Sequence, residues 1–266
     1  MAEDTVKSLL ELVDERPQVD TTGTFDVLWD TLTELRQKFD ARFEVEQDPS
    51  TLDLSSYTSL DGNAKGSLRA YSSSEIDWFT HTWIGNPKFS FSNMHFSIWL
   101  GPHIDVPHFG LAMGTMPDIF FYCDYVPRAD LSIDLDYLDR YYAPINDLYV
   151  ETRSDPRFGQ FVSKTPFMRH SQSQSSHCYL VKSDMVQALR KIAHGMFDQW
   201  LKLVDEAVEV SAEKRAHLYE RDLHMRKSIA DRDPANAMGD RLFGTEMTQR
   251  LVRGLWGGDR ILPRPQ

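Results

Sequence analysis

The sequence predicts an α/β fold, a three-layer α/β/α sandwich around a central antiparallel sheet. Strand-like runs crowd residues 67–125 at close spacing, joined by Gly, Pro and Asn, the pattern of antiparallel hairpins. Stripes of helical period lie on both sides of that block, in residues 4–39 and 183–256. No internal repeat divides the chain, so the helices are expected to pack on the two faces of one sheet. The expectation is a single domain over residues 1–266, opening with a helical segment in residues 1–50.

In order, Val6, Leu9, Leu10 and Val13 make a first helical stripe over 4–15, which Pro17 stops. Phe25, Leu28, Trp29, Leu32, Leu35 and Phe39 make a second from about residue 24. Residues 46–64 are polar and turn-rich and read as a loop. Strands are expected at 67–71, 76–83, 88–91, 93–100, 109–113 and 119–125, then short helices at 134–142 and 146–152. Two further strands, 167–169 and 177–181, are expected to flank an exposed hairpin loop, the tract SQSQSS. Residues 183–210 have the clearest helical pattern, followed by helices at 212–229 and 245–256, with a break at ADRDPANAMGDRLFG.

Forty acidic against 29 basic residues give a formal charge of −11, which argues against a nucleic-acid partner. The distribution is uneven, and the segment from Lys214 to Arg260 holds ten Lys and Arg. No run approaches the ~20 apolar residues of a membrane helix, and the acidic start is unlike a secretory signal or transit peptide. A soluble, cytoplasmic protein is expected, with Cys123 and Cys178 as buried free thiols. The 31 aromatic residues suffice for both a core and an apolar pocket.

The stretch Phe89–Asp130 concentrates chemistry, with His95, His103, Asp105 and His108 within fourteen positions. Alternation puts His95, Ser97 and Trp99 on one strand face and Met94, Phe96 and Ile98 on the other. A histidine on a covered sheet face is largely dry, and its partners then set its pKa.

Four patterns resemble one family. MHFSIW followed by PHFGLA is similar to a Leu-His strand and a Pro-x-Phe-Gly-x-Asp strand, with 17 positions from His95 to Ala112. IFFYCDYVPRADLSIDLDYLDRYY is similar to a buried strand ending in Asp, then Pro and a DYLxxYY helix. The long helix around Trp200 and the stretch IADRDPANAMGDRLFGTEMTQRLVRGLW, with its RDPA, complete the set. Together these span residues 65–256 and resemble the ferredoxin-dependent bilin reductases and red chlorophyll catabolite reductase. The resemblance implies an open-chain tetrapyrrole between sheet and C-terminal helices. It implies no bound flavin, metal or nicotinamide, with ferredoxin as partner and electron donor and protons from protein side chains. A monomer or homodimer is expected.

It also assigns residues. His95 matches a histidine that contacts the bilin, the alternative being a structural histidine. Asp233 matches the RDPA aspartate facing the substrate, the alternative being an Asx turn before Pro234; Asp231 is the alternative in register. Ala112 stands where the family carries its main proton donor, an acid. Asp105 is a replacement donor or a turn residue, and His103 and His108 are expected on the solvent side or satisfied by the loop. Ala112, Ser97, Phe109 and Trp99 are expected to line the pocket. Arg69, Arg153, Arg157 and Arg169 are candidates for the propionates, with Arg69 and Arg169 preferred. Arg226, Lys227, Arg250 and Arg253 are expected to form a ferredoxin-docking face.

Two readings compete. One is a tetrapyrrole-binding protein that does not reduce its ligand, which Ala112 favours. The other is a non-haem iron oxygenase, with His103 and Asp105 as half of a two-histidine-one-carboxylate site completed by His108, His170 or His177.

Overall fold

The computed structural model describes residues 4–15 and 17–266; residues 1–3 and 16 of the expected N-terminal helical segment lie outside it. In chain order the elements are β1 (Thr5–Lys7), α1 (Leu9–Glu15), α2 (Thr22–Arg42), β2 (Glu46–Gln47), β3 (Tyr57–Thr58), β4 (Lys65–Ser72), β5 (Ile76–Asn86), β6 (Phe91–Leu100), β7 (His108–Thr115), β8 (Ile119–Val126), α3 (Leu135–Tyr141), α4 (Ala143–Ser154), β9 (Gly159–Ser163), α5 (Pro166–His170), β10 (His177–Val181), α6 (Val186–Asp205), α7 (Ala212–Arg232), α8 (Asn236–Phe243) and α9 (Thr245–Trp256). The strands form a sheet in the order β1-β9-β10-β8-β7-β6-β5-β4-β2. Its pairings are antiparallel except at one edge, where β1 runs parallel to β9.

The sheet separates two layers. Even-numbered residues of β6 (Met94, Phe96, Ile98) share a face with Phe109, Leu111 and Met113 of β7 and with Phe121, Cys123 and Tyr125 of β8. This face packs against α2, α3, α4 and α6 in the largest apolar cluster. The rings of Phe96, Phe109, Phe197 and Trp200 interlock there, with centroids 5.1–5.8 Å apart from Phe96 to Phe197, Phe197 to Phe109 and Phe109 to Trp200. Polar tips in this core are satisfied: Trp200 Nε1 donates to the Pro107 carbonyl at 2.9 Å and Tyr125 Oη to the Met196 carbonyl at 2.7 Å. Truncating Trp200 would cost ~3–5 kcal/mol.

The opposite face meets α5, α7, α8 and α9. Trp78 of β5 is fully buried against it, with Nε1 donating to the carbonyl of Gly254 at 3.1 Å. α9 ends at Gly257, whose φ of 75° closes the helix in the left-handed region. α7 starts on Ser211, whose side chain accepts from the Lys214 N–H. Among the described residues no helix is long and apolar enough to cross a membrane.

The expected strand at 88–91 is a 3-10 turn over Pro87–Phe89 that feeds β6. The expected strand at 167–169 is helix α5, opened by Pro166 at its first position. β1, β9 and α8 were not expected, and the segment 46–64 contains β2, β3 and a 3-10 turn rather than loop alone. The tract SQSQSS joins α5 to β10, and Ser173 within it is buried. Cys123 and Cys178 are free and buried.

Candidate functional site

Alternation along three neighbouring strands builds the site. β6 turns Asn93, His95, Ser97 and Trp99 to the α7–α9 side, register pairs Ser97 with Gly110 and His95 with Ala112, and Ala112 in turn pairs with Tyr122. These side chains floor a chamber of about 140 Å³. Met225, Ile229, Asp233 and Trp256 cover it from the helical layer. The floor is low along Ser97, Gly110 and Ala112, which makes a slot between larger walls. A Cβ at Gly110 would lie 3.4 Å from Tyr122 Cε1, so the Tyr122 ring leans over that glycine.

The polar groups in this apolar slot are few. His95 opens onto the chamber, and burial holds its imidazole down at about 4, so it is neutral at pH 7. Asn93 lines the chamber and is buried, with its Oδ1 an acceptor that has no hydrogen-bond partner. Asp233 closes α7, and its Oδ1 accepts from the Ala235 N–H at 2.8 Å. Burial raises this carboxyl's pKa, the Ala235 bond opposing the shift.

His108 begins β7 at 1% exposure, and its ring packs at a 48° tilt against Trp99, with centroids 4.6 Å apart. The Leu100 N–H donates to its Nδ1 at 3.0 Å, which leaves the proton on Nε2. That nitrogen lies 3.1 Å from Asp222 Oδ1, off the alignment of a hydrogen bond. Asp222 also binds the guanidinium of Arg128, at 2.7 Å. Burial raises the Asp222 pKa, but His108 and Arg128 outweigh it and hold the carboxyl at about 2.

Of the residues expected from sequence, His95, Ser97, Trp99, Ala112 and Asp233 meet at this chamber. Others do not. Phe109 borders the slot, but its ring packs on the other face against Phe197 and Trp200. Arg69 pairs with His81, which stacks on Trp29, so it too belongs to the opposite face, and it is exposed. Arg169 is exposed on α5 and donates to the Ser163 carbonyl at 2.6 Å. Asp231 is exposed and pairs with Lys227. Asp105 pairs with Lys214 outside the chamber. His108 is a buried wall residue rather than solvent-facing. Arg226 is 2% exposed and bound to Asp77, so it cannot dock a partner; Arg250 and Arg253 are paired with Asp53 and Asp259. Among the described residues no group of three or more His, Cys, Asp and Glu is placed to hold a metal ion, so His103 and Asp105 lack the remaining ligand of an iron site. Sequence reasoning missed Asn93, although the same alternation that flagged His95 reaches it.

The site is a mostly apolar chamber between the sheet and the C-terminal helices of a layered sandwich. The model of the red chlorophyll catabolite reductase (RCC reductase) family matches residues 29–256, and the chain belongs to that family. It is similar to red chlorophyll catabolite reductase 1, chloroplastic, of rice (Oryza sativa subsp. japonica), with 24% identity over 215 residues. That match takes in 72% of this chain and 64% of the rice protein. In fold it is similar to selenomethionyl phytochromobilin synthase from tomato, solved in complex with biliverdin. The TM-score is 0.76 at 17% identity, over 85% of this chain and 81% of that one.

Proposed function

We propose that this protein reduces an open-chain tetrapyrrole, a biliverdin-like bilin or a chlorophyll catabolite, at one of its carbon–carbon double bonds. The observation that carries the reading is the chamber, with neutral His95 on its floor and Asp233 on its roof, in the fold of a protein that holds biliverdin. No flavin, nicotinamide or metal is required in this proposal. A ferredoxin supplies electrons one at a time, and each electron added to the ligand is matched by one proton from a side chain. Asp233 is the acid on the helical side; burial favours its protonated form, which is what a donor needs at neutral pH. His95 orients a polar edge of the ligand and passes protons as a neutral imidazole. The unbonded Asn93 Oδ1 accepts from a pyrrole or lactam N–H. None of the described chamber residues is Arg or Lys, so the ligand's carboxylates lie at the mouth. A cytoplasmic location belongs to the same proposal, beside a rice relative whose name places it in the chloroplast.

Anaerobic incubation with biliverdin, reduced plant-type ferredoxin and an electron-regenerating system tests the reading. Saturable sharpening of the visible bands, followed by their loss as conjugation shortens, is the expected result. The methyl of Ala112 in the centre of the floor favours a second reading, binding without reduction. Saturable binding with no turnover would establish it, and no spectral change at micromolar protein would remove both.

A further inference from the structure

Behind the chamber floor lies a second carboxyl group that this chemistry does not use. Asp124 lies on β8 two residues after Tyr122, so strand periodicity puts both on the chamber face. Tyr122 lines the chamber, and Asp124 sits behind it at 1% exposure. Tyr122 Oη donates to Asp124 Oδ2 at 3.1 Å. The Ser173 N–H donates to the same oxygen at 2.8 Å, and Ser173 Oγ to Oδ1 at 2.5 Å. These donors are all neutral, and no described Lys, Arg or His forms an ion pair with Asp124. A buried carboxylate without a counter-ion takes up a proton rather than keep its charge. Ser173 belongs to the tract 171–176, in which the neighbouring Gln174 is exposed.

Register gives this pair its place. His95, Ala112 and Tyr122 form one row across β6, β7 and β8. Cross-strand neighbours on one face are ~4.5–5.5 Å apart, so His95 and Tyr122 flank the small methyl of Ala112 at roughly 10 Å from each other. With Gly110 bare beneath its ring, the Tyr122 side chain reaches over the floor of the slot.

We infer that Tyr122 is a second proton donor to the bound tetrapyrrole and that Asp124 recharges it; the inference rests on the bilin-reduction reading above. One electron from the reduced ferredoxin makes the ligand a radical anion and oxidises the ferredoxin. The Tyr122 O–H bond breaks and its proton forms a new bond on the ligand. Once Asp124 is protonated the bond is reversed, with Oδ2–H donating to Tyr122 Oη and the Tyr122 O–H turned to the ligand; in the same step the Oδ2 proton passes to Oη, which leaves an Asp124 carboxylate and an intact phenol. Water at the Ser173 end returns a proton to Asp124 before the next electron arrives. The titration behaviour agrees. Burial lifts the Asp124 carboxyl to about 7, so it holds a proton through a good part of the neutral range. Burial and the Asp124 charge lift the Tyr122 phenol well above its usual range, so it gives up a proton only as it gains one.

The test is anaerobic single-turnover reduction of biliverdin by chemically reduced plant-type ferredoxin. It compares the wild type with Tyr122→Phe, Asp124→Asn and the double variant Tyr122→Phe/Ala112→Asp. Both single variants should bind biliverdin with the wild-type spectrum and reduce it ~10²–10⁴-fold more slowly. Both should accumulate an organic radical by electron paramagnetic resonance. The double variant, with an acid on the neighbouring strand at the same row, should recover at least tenfold over Tyr122→Phe. A Tyr122→Phe protein with the wild-type rate and no radical overturns the relay and leaves the bilin reading standing. So does one that no longer binds biliverdin, which makes Tyr122 a structural residue. A wild type that does not reduce biliverdin overturns the reading and the relay together.

Discussion

Asp233→Asn removes a proton while nearly keeping shape. Its side chain can still accept from the Ala235 N–H, the bond that fixes it at the end of α7. Turnover should therefore fall ~10²–10⁴-fold with biliverdin affinity retained, measured by spectral titration beside single-turnover rates. Asp231→Asn should leave both unchanged, because Asp231 points into solvent toward Lys227. His95→Gln should weaken affinity as well as rate, since it removes a wall contact and a proton carrier together; unchanged titration would contradict that. Which of these residues could be read in advance follows from period two. His95, Ser97 and Trp99 share a parity inside one strand, so their common face needs no knowledge of neighbours. Arg69 could not be placed, because its parity relates to the chamber only through the register of β4 on β5 and of β5 on β6. His108 lies one residue ahead of the expected strand start, where its imidazole reads as loop.

α7 is pinned by charge. Its buried positions are Leu218, Asp222, Arg226 and Ile229, a stripe at helical spacing with two ionic members. Asp222 binds Arg128, and Arg226 binds Asp77, which also takes Arg260 and Arg264 at 2.9 Å each. A sequence pattern assigns charged residues to the wet face, so this stripe was hidden although the helix was not. Buried ion pairs add little over apolar packing, but losing one partner strands the other. Asp77→Asn leaves Arg226 charged and dry and should lower unfolding stability by about 3–5 kcal/mol, measured by urea titration. Lys227→Ala on the same helix removes an exposed pair and should cost no more than ~0.5 kcal/mol. Equal effects from the two would show that α7 is held by its apolar contacts instead. The fold's other misreadings were local. A run of three apolar or basic residues at 167–169 is too short to show a period, and Pro166 decided for a helix.

Acidification should destabilise the whole molecule. Burial holds His81, His95, His108 and His177 at about 4 in the folded state, against ~6.5 when unfolded. Between those values the unfolded chain binds more protons, so the contribution of these groups is complete above pH ~6.5 and is lost as pH falls toward 4. Asp124 has the opposite sign. Its folded value of about 7 means its cost shrinks as pH falls from 7 to ~4. Four groups outweigh one. Asp222, held at about 2, adds a further loss below pH ~4. The urea midpoint should be lower at pH 5 than at pH 7.5, followed by tryptophan fluorescence; a midpoint that rises on acidification would show the histidines to be hydrated.

The anchoring of β5 also fixes an order of events during synthesis. Trp78 and Asp77 wait for Gly254, Arg260 and Arg264, which leave the ribosome 176 to 187 residues later. At ~5–20 residues per second that delay is roughly 9–37 s. Throughout it, a nascent chain that has already paired its central strands exposes Trp78 and Trp99 to everything in its surroundings. The helical roof arrives after the floor, so during this interval the floor lies open to a ligand or a chaperone.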